Sequence, residues 1–160
     1  MVRPYADGDG DALWALKRGF ETGLGEGTGD DQKQAVYEAK LDADYRREWL
    51  EWVDRCVAED ERCVQVADGG DGLAGYVFVL PESMAFVWDA AVLNEIYVEP
   101  EHRGTGVADD LMDAALDAAR EQSPPLDRIV LDVDRENERA RAFYERYGFE
   151  HWGELVARDL

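Results

Sequence analysis

The sequence predicts a mixed α/β (α+β) domain: a single, mostly antiparallel central sheet flanked by helices. Three observations carry this. Apolar runs at 63–67 and 73–80 are joined by a glycine-rich turn, a strand leads through a glycine turn into an amphipathic helix and a further strand between 84 and 133, and helical periodicity recurs before, between and after these strands. At 160 residues and 46% hydrophobic content the chain has enough for one core, so residues 1–160 are read as one domain.

The elements follow in order. Residues 2–5 read as a short edge strand, and 7–11 as the cap region of a helix that carries Leu13, Trp14, Leu16 and Phe20. The glycine-rich stretch 23–29 is expected to break that helix and to form a substrate-facing lid. Apolar residues from Val36 to Val57 recur at steps of three to five, which gives one or two amphipathic helices ending near Glu59. Strands at 63–67 and 73–80 then form a hairpin through Asp68-Gly69-Gly70-Asp71-Gly72. Residues 84–98 read as a long or bulged strand, and 106–121 as a helix with Val107, Ala108, Leu111, Met112, Ala115 and Ala119 on one face, stopped by Pro124-Pro125. A strand at 128–133, a helix at 137–147 closed by Gly148, and a last strand or hairpin at 149–156 complete the reading.

Composition excludes several function classes. The formal charge of −20 arises from Asp and Glu set against only three lysines, Lys17, Lys33 and Lys40, so binding to nucleic-acid phosphates is not expected. No apolar run approaches a membrane span and the first residues lack a signal-peptide pattern, so a cytoplasmic protein without a membrane partner is expected. The Asp/Glu-rich, Lys-poor composition resembles that of cytosolic proteins from salt-loving organisms, where salt screens the self-repulsion of an acidic surface. Cys56 and Cys63 have neither the number nor the spacing of a metal site and read as buried thiols, with no metal.

The most informative stretch is Arg103-Gly104-Thr105-Gly106-Val107-Ala108, a strand end, glycine turn and helix start in one piece. Glycines admit backbone angles closed to other residues and let a ligand approach the main chain. The N–H groups of the first helical turn then face it, and the helix dipole favours an anion. A Walker loop is excluded because Val107 and Ala108 stand where lysine and a hydroxyl residue belong; a dinucleotide fingerprint is disfavoured by Asp109 at its third glycine position.

Downstream, Asn137-Glu138-Arg139-Ala140-Arg141-Ala142-Phe143-Tyr144-Glu145-Arg146-Tyr147-Gly148-Phe149 completes a pair of blocks that resembles the GCN5-related N-acetyltransferase (GNAT) superfamily. Its patterns Arg/Gln-x-x-Gly-x-Gly/Ala and Asn-x-x-Ala-x-x-x-Tyr-x-x-x-Gly-Phe are met at every position, in the family's order, and the resemblance is firm from 94 to 149. It implies a GNAT-like acyl-CoA N-acyltransferase fold and transfer of an acetyl group from acetyl-CoA to a primary amine by direct attack in a ternary complex, the acceptor being a small amine or a peptide or protein N-terminus. The main chain of Arg103, Gly104, Thr105, Gly106, Val107 and Ala108 would hold the pyrophosphate; Ile96, Tyr97 and Val98 would pair with the pantetheine arm. Asn137 would bond that arm, a role compatible with capping its helix. Tyr144 would meet the departing thiolate as acid, although its spacing also suits a core aromatic.

For the base the resemblance offers Glu95 on the central strand and Asp132, where related acetyltransferases carry glutamate; a water chain is the third option. Arg103, Arg135, Arg139 and Arg141 would gather positive charge for the phosphates, with Arg139 at the cofactor, or would form helix-face salt bridges with Glu136, Glu138 and Glu145 instead. Members of the family often dimerise through sheet edges, so a homodimer rests on the resemblance alone. The rival from another class is an acyl-CoA-binding sensor of the same fold without turnover.

Overall fold

The computed structural model describes residues 1–27 and 31–160. Five strands lie side by side in chain order among these residues: β1 (Val2–Pro4), β2 (Val64–Asp68), β3 (Leu73–Val79), β4 (Ala91–Val98) and β5 (Ile129–Val130). The first four are antiparallel, and β5 runs parallel to β4. Side chains alternate across this sheet as a pleated strand requires. Val64, Val66, Tyr76 and Phe78 bury one face against α1 (Gly10–Gly27) and α3 (Ala43–Glu59). Ala67, Val77, Val79 and Leu93 bury the other against α4 (Val107–Arg120) and the aromatic side of α5 (Glu138–Arg146). The remaining helix, α2 (Asp31–Ala39), packs on α1. Its Lys33 ion-pairs with Asp134, beyond the end of β5.

Several expectations are corrected. α1 is not broken at Gly23 but continues to Gly27; the internal glycines, at about 1 kcal/mol each, are carried by the packing of the preceding turns, where Leu13, Trp14 and Leu16 are buried. The rest of the expected lid lies outside the described residues. Residues 84–90 form no strand: Glu82–Val87 is a 3₁₀ turn, held by Met84 N–H to Pro81 O at 2.9 Å, and supplies the reversal that antiparallel β3 and β4 need. On α4 the buried stripe is completed by Ala118, while Ala119 is only half-buried.

The strand expected at 128–133 shrinks to the two residues of β5, because β4 offers it only Ala91 and Val92. Residues 149–156 form no strand either. Phe149 packs on Tyr144, but beyond it a two-residue β5 presents almost no edge to pair with. The segment is fastened instead by an Arg135–Glu154 ion pair at 3.2 Å and by Arg128 stacked over Trp152 at 4.4 Å.

Candidate active site

The site begins with one extra residue in β4. Phe78 faces Glu95 but Val79 faces Leu93, so Asn94 is a β-bulge. Upstream of it Val92 points into the α1 and α3 layer and Leu93 into the α4 layer; without the bulge Glu95 would follow Leu93 to the α4 side. The bulge returns it to the α1 side. It also ends the pairing with β5, leaving the outer edge of β4 from Asn94 to Val98 without a neighbouring strand among the described residues.

Which backbone groups line that edge follows from the ladder. Glu99 N–H donates to Ala74 O at 2.8 Å, and bonded pairs recur every second residue, so Tyr97 and Glu95 direct their backbone groups at β3. Ile96 and Val98 direct theirs outward. Accordingly Val98 O accepts from Arg103 Nε at 3.1 Å. Of the three residues expected to face the cofactor arm, Ile96 and Val98 present their main chain to the open edge. Tyr97 instead lays its ring on α1, where a Cβ on Gly19 would stand 2.7 Å from its Cζ.

The glycine turn follows directly. Gly104 and Gly106 have φ of 75° and 93°, a region that favours glycine, and a Cβ on either would meet nothing within 4 Å. The first helical hydrogen bond is Asp110 N–H to Gly106 O at 3.0 Å. The N–H groups of Gly104, Thr105, Gly106, Val107, Ala108 and Asp109 therefore have no acceptor among the described residues. Six consecutive unpaired donors at a helix N-terminus form a cradle suited to hold an anion. Asp109, which would repel an anion there, is turned aside: it accepts from Tyr147 Oη at 2.6 Å and pairs with Arg146 at 2.8 Å, contacts that hold its carboxyl below the usual range.

Positive charge gathers beside the cradle. Arg103 lies over the Tyr97 ring at 5.8 Å and comes close enough to Arg139 to help partial desolvation lower that guanidinium below its ordinary value. Neither arginine has a carboxylate partner among the described residues. Arg141 donates to Arg135 O at 2.9 Å, and Arg135 turns to Glu154, so these two belong to the C-terminal fastening. The alternative of helix-face bridges to Glu136, Glu138 and Glu145 is not realised in α5.

Glu95 is 6% exposed and fully engaged: Tyr76 Oη donates to it at 3.0 Å, and Lys17 ion-pairs with it. Lys17, 2% exposed, also meets Glu21 at 2.6 Å, and Glu21, 3% exposed, meets Lys40 at 3.0 Å. Burial raises the Glu95 carboxyl above the ordinary range, and Lys17 offsets part of that rise. Burial pulls Lys17 down, but its two carboxylates carry it above its usual value. Tyr76 is pushed up by burial and by Glu95. Sequence reasoning missed Lys17 and Glu21, although the signal was present: at i and i+4 they lie on the same stripe of α1 as Leu13, Trp14 and Phe20.

On the opposite side of the sheet Tyr144 packs between Phe143 and Phe149, at ring distances of 5.6 and 5.9 Å, and desolvation pushes its phenol up to about 12. Asn137 caps α5, its Oδ1 accepting from Ala140 N–H at 3.2 Å. Asp132 is exposed beyond the end of β5; Lys33 is raised chiefly by its hydrogen bond to Asp134, and Asp132 adds only a minor part. Glu95 thus lies on the α1 side of the sheet and Tyr144 packs on the α4 side, while Asp132 stands apart from the buried network.

A model of the acetyltransferase (GNAT) family matches residues 25–149. Among curated relatives, a mycothiol acetyltransferase of Beutenbergia cavernae is 41% identical over 87 residues, 52% of this chain and 27% of the relative. An N-alpha-acetyltransferase 30 of Schizosaccharomyces pombe is 32% identical over 87 residues, 54% of this chain and 46% of its own. The chain thus spans about a quarter to a half of the length of these curated relatives. A PaiA N-acetyltransferase from Thermoplasma acidophilum, solved in complex with coenzyme A, superposes with a TM-score of 0.71 at 17% identity, covering 94% of this chain and 89% of its own. A ribosomal-protein-alanine N-acetyltransferase from Brucella melitensis does so with 0.69 at 23%, covering 96% and 86%. The likenesses of fold agree with the open sheet, and the family match spans most of the sequence: the chain belongs to the acetyltransferase (GNAT) family.

Proposed function

We propose that residues 1–160 act as one domain that transfers the acetyl group of acetyl-CoA to a primary amine by direct attack in a ternary complex. The single observation that carries this is the row of six unpaired N–H groups from Gly104 to Asp109, set beside two arginines without carboxylate partners in a chain of net charge −20. Acetyl-CoA supplies an activated thioester and, in its pyrophosphate, the anion these donors suit. Arg103 and Arg139 add bidentate donors for phosphate. The Ile96 and Val98 main chain suits an extended, amide-bearing arm. An outward N–H there would stabilise negative charge developing on a carbonyl oxygen.

Glu95 suits the base better than Asp132, because burial holds its carboxyl above the ordinary range, nearer the pH at which a base must work. Tyr144, at about 12, stays protonated and donates a hydrogen bond to the departing sulfur without giving up its proton. The two roles predict different losses. General acid catalysis is worth about 10²- to 10⁴-fold, whereas one lost hydrogen bond to a charged group costs about 1.5–3 kcal/mol. Tyr144→Phe is expected to lower kcat by about tenfold to a hundredfold with KM for acetyl-CoA little changed. Stopped assays of thiol release check this, and a larger loss with a shifted alkaline limb would restore the acid role.

The acceptor is a small primary amine or a peptide N-terminus; the name of the N-alpha-acetyltransferase 30 relative favours the second. A second reading, an acyl-CoA-binding module without turnover, is favoured by one observation: both Glu95 oxygens are already engaged. Thiol release from acetyl-CoA in high salt, measured over a panel of amines and peptides, decides between them. Tight binding with no release across the panel sinks the enzyme reading.

A further inference from the structure

Lys40 stands at the exit of α2 with its ammonium 4.9 Å from the ring centroid of Tyr37 and 5.3 Å from that of Tyr45, and 3.0 Å from Glu21 Oε2. Two aromatic faces and a buried carboxylate are the recognition chemistry of an alkylammonium ion. Lys40 fills it loosely. Its side chain is 35% exposed while Glu21 is 3% exposed, and the contact lacks hydrogen-bond alignment, so Glu21 Oε2 receives no hydrogen bond among the described residues. A buried carboxylate oxygen without a donor is a costly arrangement that a better-placed ammonium would relieve.

The cage also adjoins the site. Glu21 shares Lys17 with Glu95, so a cation held by Glu21 lies one ion pair away from the proposed base on the α1 side of the sheet. Charge balance agrees: Glu21 and Glu95 are two buried carboxylates with one buried cation between them, which leaves room for a second.

We infer that the Glu21–Tyr37–Tyr45 cage is an entry site that holds the ammonium group of a primary alkylamine acceptor, still charged, before it moves on to be deprotonated and acetylated, and that Lys40 is a resident place-holder which the acceptor displaces. The inference rests on the acetyltransferase reading for the word acceptor; the cation site itself does not. An unbranched alkyl chain ending in NH₃⁺ matches the shape of the occupant. Such a place-holder lowers apparent affinity by the fraction of time that the cage stands open.

The test uses n-butylammonium as probe and n-butanol as its neutral isostere, titrated against the whole chain by intrinsic fluorescence. Lys40→Met keeps an apolar stem and removes the cation, and is expected to bind butylammonium about tenfold tighter, the gain expected where an occupant leaves a site open about a tenth of the time. Lys40→Arg should keep the wild-type value. Tyr37→Leu, alone or with Lys40→Met, should weaken binding at least threefold, and butanol should not compete in any variant. Unchanged or weaker butylammonium binding in Lys40→Met, or equal binding of butanol, overturns the inference. Acetyl-CoA binding and turnover on the same proteins separate the two ideas. The tenfold gain without any acetyl-CoA binding would refute the acetyltransferase reading and keep the cation site, whereas turnover with a KM for butylamine insensitive to Lys40→Met would refute the cation site alone.

Discussion

Gly106→Val is expected to abolish measurable acetyl-CoA binding while leaving the chain folded. Gly106 sits at φ 93°, ψ −7°, and its absent Cβ faces open space, so the substitution does not collide with the core. What it disturbs is the backbone. A β-branched residue in the left-handed region is a genuine outlier and costs about 1–2 kcal/mol, which the turn relieves by rotating toward ordinary angles. The N–H groups of residues 104–109 then cease to converge, and the new side chain occupies the approach to them. Each hydrogen bond to a charged group is worth about 1.5–3 kcal/mol, so losing two weakens binding by about a hundred- to ten-thousandfold. Calorimetric titration with coenzyme A, paired with a thermal melt, reads both halves of this result. Retained affinity would mean that the turn at 104–109 does not hold the cofactor.

The second large effect is on stability. Lys17→Met leaves Glu21 and Glu95 buried without the cation that both share, and breaking a buried ion pair from one side costs about 3–5 kcal/mol. A chain of this length loses about 2–4 °C of Tm per kcal/mol, so a fall of about 10 °C is expected. The pH dependence has a definite sign. Burial already raises the Glu95 carboxyl, and removing Lys17 takes away the cation that restrains it. A group whose folded pKa is raised contributes stability below its unfolded value and loses it as pH rises through the folded value. The Lys17→Met deficit should therefore shrink from pH 8 to pH 5, above the range where Asp9, Asp109 and Asp134, all held low, lose their own contributions. Glu95→Gln added to Lys17→Met should recover part of the loss. A Tm for Lys17→Met within 2 °C of wild type would mean that the network is not the keystone its burial indicates.

The mostly antiparallel sheet and the glycine turn were legible because local chemistry decides them. Glycines at 104 and 106, the hairpin loop at 68–72 and the helix stop at Pro124 act over a few residues, and no tertiary contact overrules them. Misreadings cluster where a partner elsewhere in space decides. The apolar run at 84–90 looks like strand until the antiparallel pairing of β3 with β4 demands a reversal there. Residues 131–133 and 149–156 have strand composition but no adjacent edge, since β4 turns away after Leu93. Glycines at 23 and 25 mark a break by propensity, yet α1 runs through them.

The site divides in the same way. Its phosphate-facing half is main chain, and glycines write main-chain geometry openly into a sequence. Its other half is a buried polar network that joins α1 at Lys17 and Glu21 to β3 at Tyr76 and β4 at Glu95, residues up to 78 positions apart. Glu95 was visible only through family likeness, and its partners only through an i, i+4 pair on an apolar stripe.

The bulge at Asn94 makes β4 two strands with opposite obligations. Upstream, the phase of its side chains is set by what the core needs and its outer edge is closed by β5; downstream, the phase is reset and the edge is left bare. Asn94 works as a frameshift in the fold. Absorbing that residue into a regular ladder, with no bulge, would send Glu95 to the α4 side and Ile96 to the α1 side, putting a carboxylate among aliphatic side chains and an isoleucine against Lys17. The chemistry of the site thus depends on a count as much as on any side chain, and one-residue insertions or deletions between Glu95 and Val98 should be tolerated far less than substitutions at the exposed edge.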